Sequence, residues 1–295
     1  MRRPSPVELM LLTVITLWSL NLTVTRYILT HGFQPLAYAT VRYGLAAAVF
    51  VVVVLVAERT LAIQRSDLWL VLAAVLTLWL NQLGFVYALK TTSASVVALI
   101  LGATPIFAAL IGLVTRTELL TSRFWLGATI SFVGVGLVAL GSGGEIRGGL
   151  GGVLLGVLTA ATWAAYSTCV APLMRRYSPY RISAVVLSAA WVLIALSGSG
   201  QTRSQDWSLD AEVWALLVFA ALGPLVLTNV LWFRSLDRIG AARATLAANL
   251  QPFVAALFAV VLLSERLVAL ELAGGVAIAI GILLARRRRP PAAVD

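Results

Sequence analysis

The chain has 295 residues, 60% hydrophobic and 12% charged, with a mean hydropathy of +0.96, far more apolar than a soluble domain and expected of an integral membrane protein. A net charge of +10 would suit a nucleic-acid binder only if the base lay on a solvated face, and this composition leaves almost none. One cysteine, Cys169, and one histidine, His31, exclude an intrachain disulfide and a zinc cluster.

About 20 apolar residues cross a bilayer, and ten stretches approach that length: roughly 9–29, 36–57, 68–88, 94–114, 124–141, 150–172, 181–198, 212–233, 243–262 and 269–285. Span 1 follows the basic start Met1-Arg2-Arg3-Pro4. Its apolar run is too long for a signal peptide, and no small-residue cleavage site follows, so it is expected to remain as a span. Its middle carries Trp18 and Asn21. Span 2 carries Arg42, whose long side chain is expected to snorkel to the outer interface, or to meet a carboxylate if it faces a cavity. Span 3 brings Trp79, Asn81 and Gln82, span 4 Thr104 and Pro105, span 6 Trp163 and Tyr166, span 8 Asn229, and span 9 Asn249, Gln251 and Pro252. Span 10 ends in Arg286 to Arg289, a stop-transfer anchor to anionic lipid.

The second half repeats the first. Pro105, Glu118, Gly127, Gly134 and Leu137 each have a counterpart 147 residues on, in Pro252, Glu265, Gly274, Gly281 and Leu284, while Asn81 and Phe85 match Asn229 and Phe233 at 148. Such self-similarity marks a duplicated unit, here residues 1–144 (spans 1 to 5) and 145–295 (spans 6 to 10). With the N-terminus cytoplasmic, 16 Arg residues fall on the cytoplasmic side against four basic residues outside, Lys90, Arg147, Arg203 and Arg266. The positive-inside rule therefore places both termini in the cytoplasm. Five is odd, so the second unit enters from the opposite face and the repeats are inverted, the geometry of alternating access. The expected fold is an all-α membrane protein of ten transmembrane helices, two inverted five-helix repeats around a central cavity.

Pro105 and Pro252 fall near mid-span, and each frees the carbonyl four residues back, Leu101 and Ala248. Such breaks persist where protein or a water-filled cavity supplies partners, and paired breaks in two halves point to a central site. Trp18, Asn21, Trp79, Asn81, Thr104, Trp163, Tyr166, Asn229, Asn249 and Gln251 are the expected substrate-binding residues, with Asn21 and Asn249 foremost. Amides in a membrane must face other helices or a cavity, and interhelical hydrogen bonding is their competing role. Trp69, Trp125, Trp207, Trp214 and Trp232, near span ends, suit an interfacial belt. Glu118 and Glu265, beside Arg116 and Arg266, suit helix ends. None of the 12 acidic residues lies mid-span, whereas an ion pump usually carries a carboxylate there. A nearly neutral, aromatic, amide-rich cavity for a zwitterionic or neutral solute is expected. Gly127 and Gly134 with Gly274 and Gly281 allow spans 5 and 10 to pack closely, within the chain or between two copies of a homodimer. No cofactor, metal or nucleic acid is expected; the partners are a small solute and lipid.

In order, Trp18-Ser-Leu-Asn21, Pro35 with Arg42, Tyr87-Ala-Leu-Lys90-Thr-Thr-Ser-Ala94, Pro105 and Glu118 resemble the EamA-type branch of the drug/metabolite transporter superfamily. The second half continues the likeness with Trp163-Ala-Ala-Tyr166, Phe233-Arg-Ser-Leu-Asp-Arg-Ile-Gly-Ala241, Pro252, Glu265, Gly274 and Gly281. The resemblance implies ten helices in inverted repeats, a cavity walled mainly by spans 1, 3, 4, 6, 8 and 9, and export of small metabolites, often amino acids. Multidrug relatives rely on a glutamate within their first helix; here Glu8 precedes the span. Proton-coupled drug efflux is the alternative, and a non-transporting membrane subunit a further one. An enzyme is not expected, since no mid-span residues pair as base and nucleophile.

Overall fold

The computed structural model describes residues 6–115, 122–141, 149–239 and 251–285. Among these the regular structure is entirely helical. The helices are α1 (Pro6–Thr30), α2 (Pro35–Ala57), α3 (Leu68–Thr91), α4 (Ala94–Leu101), α5 (Thr104–Val114), α6 (Ser122–Gly141), α7 (Gly149–Leu173), α8 (Pro179–Ser197), α9 (Ser199–Ser204), α10 (Ala211–Ala221), α11 (Thr228–Ile239), α12 (Gln251–Leu263) and α13 (Ala269–Ala285). A π-helical turn, Leu222–Leu227, joins α10 to α11. Among the described residues, seven stretches are long and apolar enough to cross a membrane: Pro6–Thr30, Pro35–Ala57, Arg65–Thr91, Ala94–Val114, Leu150–Leu173, Pro179–Ser197 and Ala211–Trp232. The apolar helices Ser122–Val138, Val254–Leu263 and Ala269–Leu284 are shorter.

Local chemistry sets the helix starts. Pro35 and Pro179 open α2 and α8, where a missing N–H leaves nothing unpaired. Ser178 Oγ accepts from Arg181 N–H and Ser93 Oγ from Val96 N–H, each a side-chain N-cap. The connection between α1 and α2 is tight because Gly32 takes φ of +99°, a conformation that L side chains resist. The amides of Gln34 and Leu36, at the start of α2, donate to the Gln205 and Gln201 side chains (2.7 and 2.8 Å). At the other end of α2, Glu58 accepts from Ser178 and from Arg181 (2.9 Å), and Asp67 accepts from Arg176 (2.6 Å) and Tyr177 (2.7 Å). Polar ties thus fasten both ends of the pair α2 and α8.

The packing has an internal symmetry. Exchanging the two halves leaves the pairs α2 with α8 and α6 with α13 in place. It turns the α3–α7 contact into α11–α1, and the α1–α12 contact into that of α7 with α5. Glycine brings α6 against α13: a Cβ on Gly134 would stand 2.6 Å from Gly274 O, and one on Gly274 2.5 Å from Gly134 O. The spacing of these glycines therefore packs the chain against itself. One hydrophobic core gathers residues of α1, α2, α3 and α8, and a second joins α4, α6, α7 and α13. The outer faces are apolar and exposed, with Val56, Leu72, Leu76, Leu257 and Val261 among them, as a surface facing hydrocarbon requires.

Candidate central cavity

Helices α1, α7 and α11 carry an aromatic cluster between the two halves. The Trp18 ring lies 5.2 Å from Trp232 in a tilted contact and 6.4 Å from Trp163 edge-on; Trp163 in turn lies 5.4 Å from Tyr166. Such offset and edge-to-face contacts are the favoured aromatic geometries. The Trp18 indole N–H donates to Thr228 Oγ1 (2.8 Å), and the Thr228 hydroxyl donates to Pro224 O (2.6 Å). Ser19 Oγ donates to Gln251 O at 3.0 Å, tying α1 to the first residue of α12. Trp18, Trp163, Tyr166 and Gln251 are thus gathered around α1. Trp232, expected in the interfacial belt, belongs to the cluster instead. Asn21, two residues beyond Ser19, is 7% exposed, and its carboxamide oxygen has no hydrogen-bond partner among the described residues.

Other expected ligands serve as joints between helices. Asn81 donates to Thr159 O (2.9 Å) and to Thr162 Oγ1 (3.4 Å), and accepts from Gln82 Nε2 (3.0 Å), fastening α3 to α7. Gly84, one turn on, lets the two backbones approach, since a Cβ there would meet Leu155 O at 3.1 Å. The Trp79 indole N–H donates sideways to Ser197 Oγ on α8 (3.0 Å). Thr104 Oγ1 donates to Leu101 O at 2.6 Å, the carbonyl that Pro105 frees. There α4 ends, Gly102 and Ala103 turn, and α5 begins at Thr104. Asn229 is half-buried on α11. Pro252 is the second residue of α12 as described, and Asn249, Ala248 and Glu118 lie outside the described residues.

Arg42 overturns the snorkelling expectation. Its residue is 4% exposed, its Nε–H donates to Ala220 O at 3.2 Å, and its guanidinium carbon lies 5.9 and 6.0 Å from the Tyr38 and Tyr43 ring centres. The cause is Pro224, four residues beyond Ala220, which lacks an N–H and forces the helix into the π turn Leu222–Leu227. The dipeptide Gly223-Pro224 was the sequence signal for this break, and it has no partner proline in span 3.

At the end of the bundle carrying Lys90, ionic groups close the helix ends. Arg26 Nη1 donates to Leu89 O (2.6 Å) and Lys90 O (2.8 Å), and Lys90 Nζ donates to Leu29 O (2.5 Å). These cations therefore sit at the C-termini of α3 and α1, the favourable end of each helix dipole. Glu265, just after α12, accepts from Ala94 N–H (2.9 Å), Ser95 N–H (3.0 Å) and Ser95 Oγ (2.7 Å) at the start of α4. Beside it Arg26, Tyr27, Thr30, His31, Leu262, Leu263 and Ser264 line an open recess of about 400 Å³. Among the described residues no group of three His, Cys, Asp or Glu side chains gathers where a metal ion would sit.

Fold and site together define a multi-pass α-helical membrane protein whose two like halves meet at an aromatic centre. The EamA-like transporter family model matches residues 5–140 and again 150–287; the chain belongs to that family. An uncharacterized transporter of Archaeoglobus fulgidus is 26% identical over 289 residues, covering 95% of this chain and 99% of that one. A probable amino-acid metabolite efflux pump of Salmonella typhimurium is 27% identical over 285 residues, 92% of each chain. An uncharacterized transporter of Bacillus subtilis is 26% identical over 265 residues, 86% of this chain and 85% of its own. A crystal structure of a further protein superposes with a TM-score of 0.64 at 20% identity, covering 94% of this chain and 95% of that one, a likeness of fold.

Proposed function

We propose that this protein is a secondary transporter that exports amino acids or similar small metabolites across the cytoplasmic membrane, leaving the solute chemically unchanged. The observation that carries the reading is the aromatic cluster of Trp18, Trp163, Tyr166 and Trp232, placed where the two family repeats meet. The relative named as an amino-acid metabolite efflux pump supports the substrate class. In this reading the chain has ten spans, both termini cytoplasmic, and the halves are inverted; the exchange symmetry of the helix contacts supports two equivalent units. Rocking of those units about the centre exposes the solute to each side in turn. Trp18 and Asn21 from the first half, with Trp163, Tyr166, Asn229, Asn249 and Gln251 from the second, hold the solute. Asn81, Trp79 and Thr104 keep the helices in place. Glu265, by tethering α12 to the start of α4, closes the outer end.

Flux through liposomes containing the purified full chain tests this. Amino acids are expected to move without an imposed proton gradient, and to move at least about tenfold more slowly in Trp163→Ala or Asn21→Ala, given the loss of an aromatic wall or a polar contact. Unchanged flux in both variants removes the site assignment, and strict dependence on a pH gradient replaces the mechanism with proton-coupled efflux.

A further inference from the structure

A cation buried in a membrane bundle needs a counter-charge or a route to water, because desolvation penalises an unpaired guanidinium heavily. Arg42 has no counter-charge among the described residues. The ion pairs there are Arg176 with Asp67 and Arg181 with Glu58, both at the far end of α2 and α8. Of the five N–H donors of a guanidinium, the one on Nε is used by Ala220 O. The two terminal nitrogens donate to no described residue, and the faces of Tyr38 and Tyr43 balance the charge only in part.

A second unpaired group lies at the same level. Thr25 Oγ1 and Tyr38 OH share a hydrogen bond of 3.0 Å between α1 and α2. These helices run antiparallel, so one turn inward from that bond leads to Asn21 on α1 and to Arg42 on α2. Residues four apart share a helix face, so Asn21 lies on the face of α1 that carries Thr25 and Arg42 on the face of α2 that carries Tyr38, and α10 packs against both helices. The Asn21 carboxamide oxygen is enclosed and has no partner among the described residues. An acceptor and a set of donors, on two buried residues and without partners among the described residues, suit a solute that carries both signs.

We infer that Arg42 binds the carboxylate of the transported solute, so that the site selects monocarboxylates and accepts an amino-acid zwitterion over its neutral-acid-group analogues. The planar guanidinium offers two parallel N–H groups to the two oxygens of a carboxylate. A single unpaired cation matches one negative charge, which disfavours dianions such as phosphate monoesters. The inference rests on the transporter reading above, and deepens it by naming the group recognised.

The test uses the purified full chain, in liposomes and in detergent. Uptake of labelled phenylalanine is challenged with excess unlabelled phenylalanine, phenylpropionate or phenylalaninamide, and thermal stabilisation by the same three compounds is followed alongside. In the wild type the two carboxylates are expected to outcompete the amide by at least about tenfold. Arg42→Gln abolishes that preference, whereas Arg42→Lys keeps it with about tenfold weaker binding. A purely structural role in capping Ala220 O would lower the melting temperature of Arg42→Gln and leave the acid-over-amide preference intact; that result overturns the inference. If Arg42→Gln does not fold, Arg42→Lys with unweakened carboxylate binding overturns it equally. If the wild type carries no phenylalanine, the amino-acid reading fails for that solute. The carboxylate site is then judged by thermal stabilisation with a panel of monocarboxylates and their amides, and no acid outperforming its amide overturns it.

Discussion

Glu265→Gln is expected to open the end of the molecule that Glu265 closes. The carboxylate takes three hydrogen bonds, from Ala94 N–H, Ser95 N–H and the Ser95 hydroxyl. Glutamine keeps one acceptor oxygen, presents an NH₂ group to a backbone N–H, and removes the negative charge from the N-terminus of α4. One charge-assisted hydrogen bond is worth about 1.5–3 kcal/mol and a charge at a helix N-terminus about 0.3–1 kcal/mol. Glu265 is half-buried, so the lower ends apply and the tether weakens by about 2 kcal/mol, a shift of about 30-fold in the closed-to-open ratio. A cysteine at Val97, one turn inside the tether and fully buried, reports the opening in a Cys169→Ser background. An impermeant maleimide added from the Lys90 side should label it about 30-fold faster in Glu265→Gln. Equal labelling rates with and without the carboxylate would refute the tether as a closing device.

Four further outcomes follow from where these side chains lie. Gly134→Ala places a Cβ 2.6 Å from a backbone oxygen of α13 and is expected to destabilise the α6–α13 pair by about 1–3 kcal/mol, read as a lower melting temperature in detergent. Gly136→Ala on the same helix meets nothing within 4 Å and should leave that temperature unchanged or raise it. Asn81→Leu removes the bonds to Thr159 and Thr162 and strands the Gln82 amide, and should loosen α3 from α7 by about 1–2 kcal/mol, seen as faster hydrogen exchange in both helices. Trp69→Ala, at a ring 67% exposed on the outer face, should leave solute flux at the wild-type rate while Trp163→Ala reduces it.

The duplication and the apolar runs were legible in the sequence because both are periodic and neither depends on where a side chain finally points. Pro105 and the carbonyl it frees were legible for a similar reason: the ring acts on a fixed backbone offset. What escaped was direction. Asn81 and Asn21 are the same residue type at similar depth, yet Asn81 meets Thr159 on a neighbouring helix while the Asn21 carboxamide oxygen has no partner among the described residues; no one-dimensional pattern separates them. Trp232 was assigned to the interface by its distance from the span end, but α11 turns it onto Trp18. Arg42 escaped because its fate depends on Ala220, 178 residues away, and the oxygen there is free only because of Pro224.

The two halves also differ in an informative place. α2 and α8 both begin on proline, and seven residues on stand Arg42 in one and Val186 in the other. Pro224 lies five residues before Asn229, and five before its counterpart Asn81 stands Leu76, in a helix that runs unbroken from Leu68 to Thr91. The first half's unmatched cation and the second half's unmatched proline meet at a single hydrogen bond, Arg42 Nε to Ala220 O. Elsewhere the departures from symmetry are scattered; this pair joins the halves across their interface. A movement that exchanges the conformations of two repeats needs what the repeats share, such as Pro105 with Pro252 and the glycine seam. A solute with distinct ends needs a site that is not symmetric. The contact of Arg42 with the oxygen four residues before Pro224 is therefore a place where the duplicated scaffold departs from its symmetry, and in the reading proposed above the charged end of the solute lies toward α2 and the π turn.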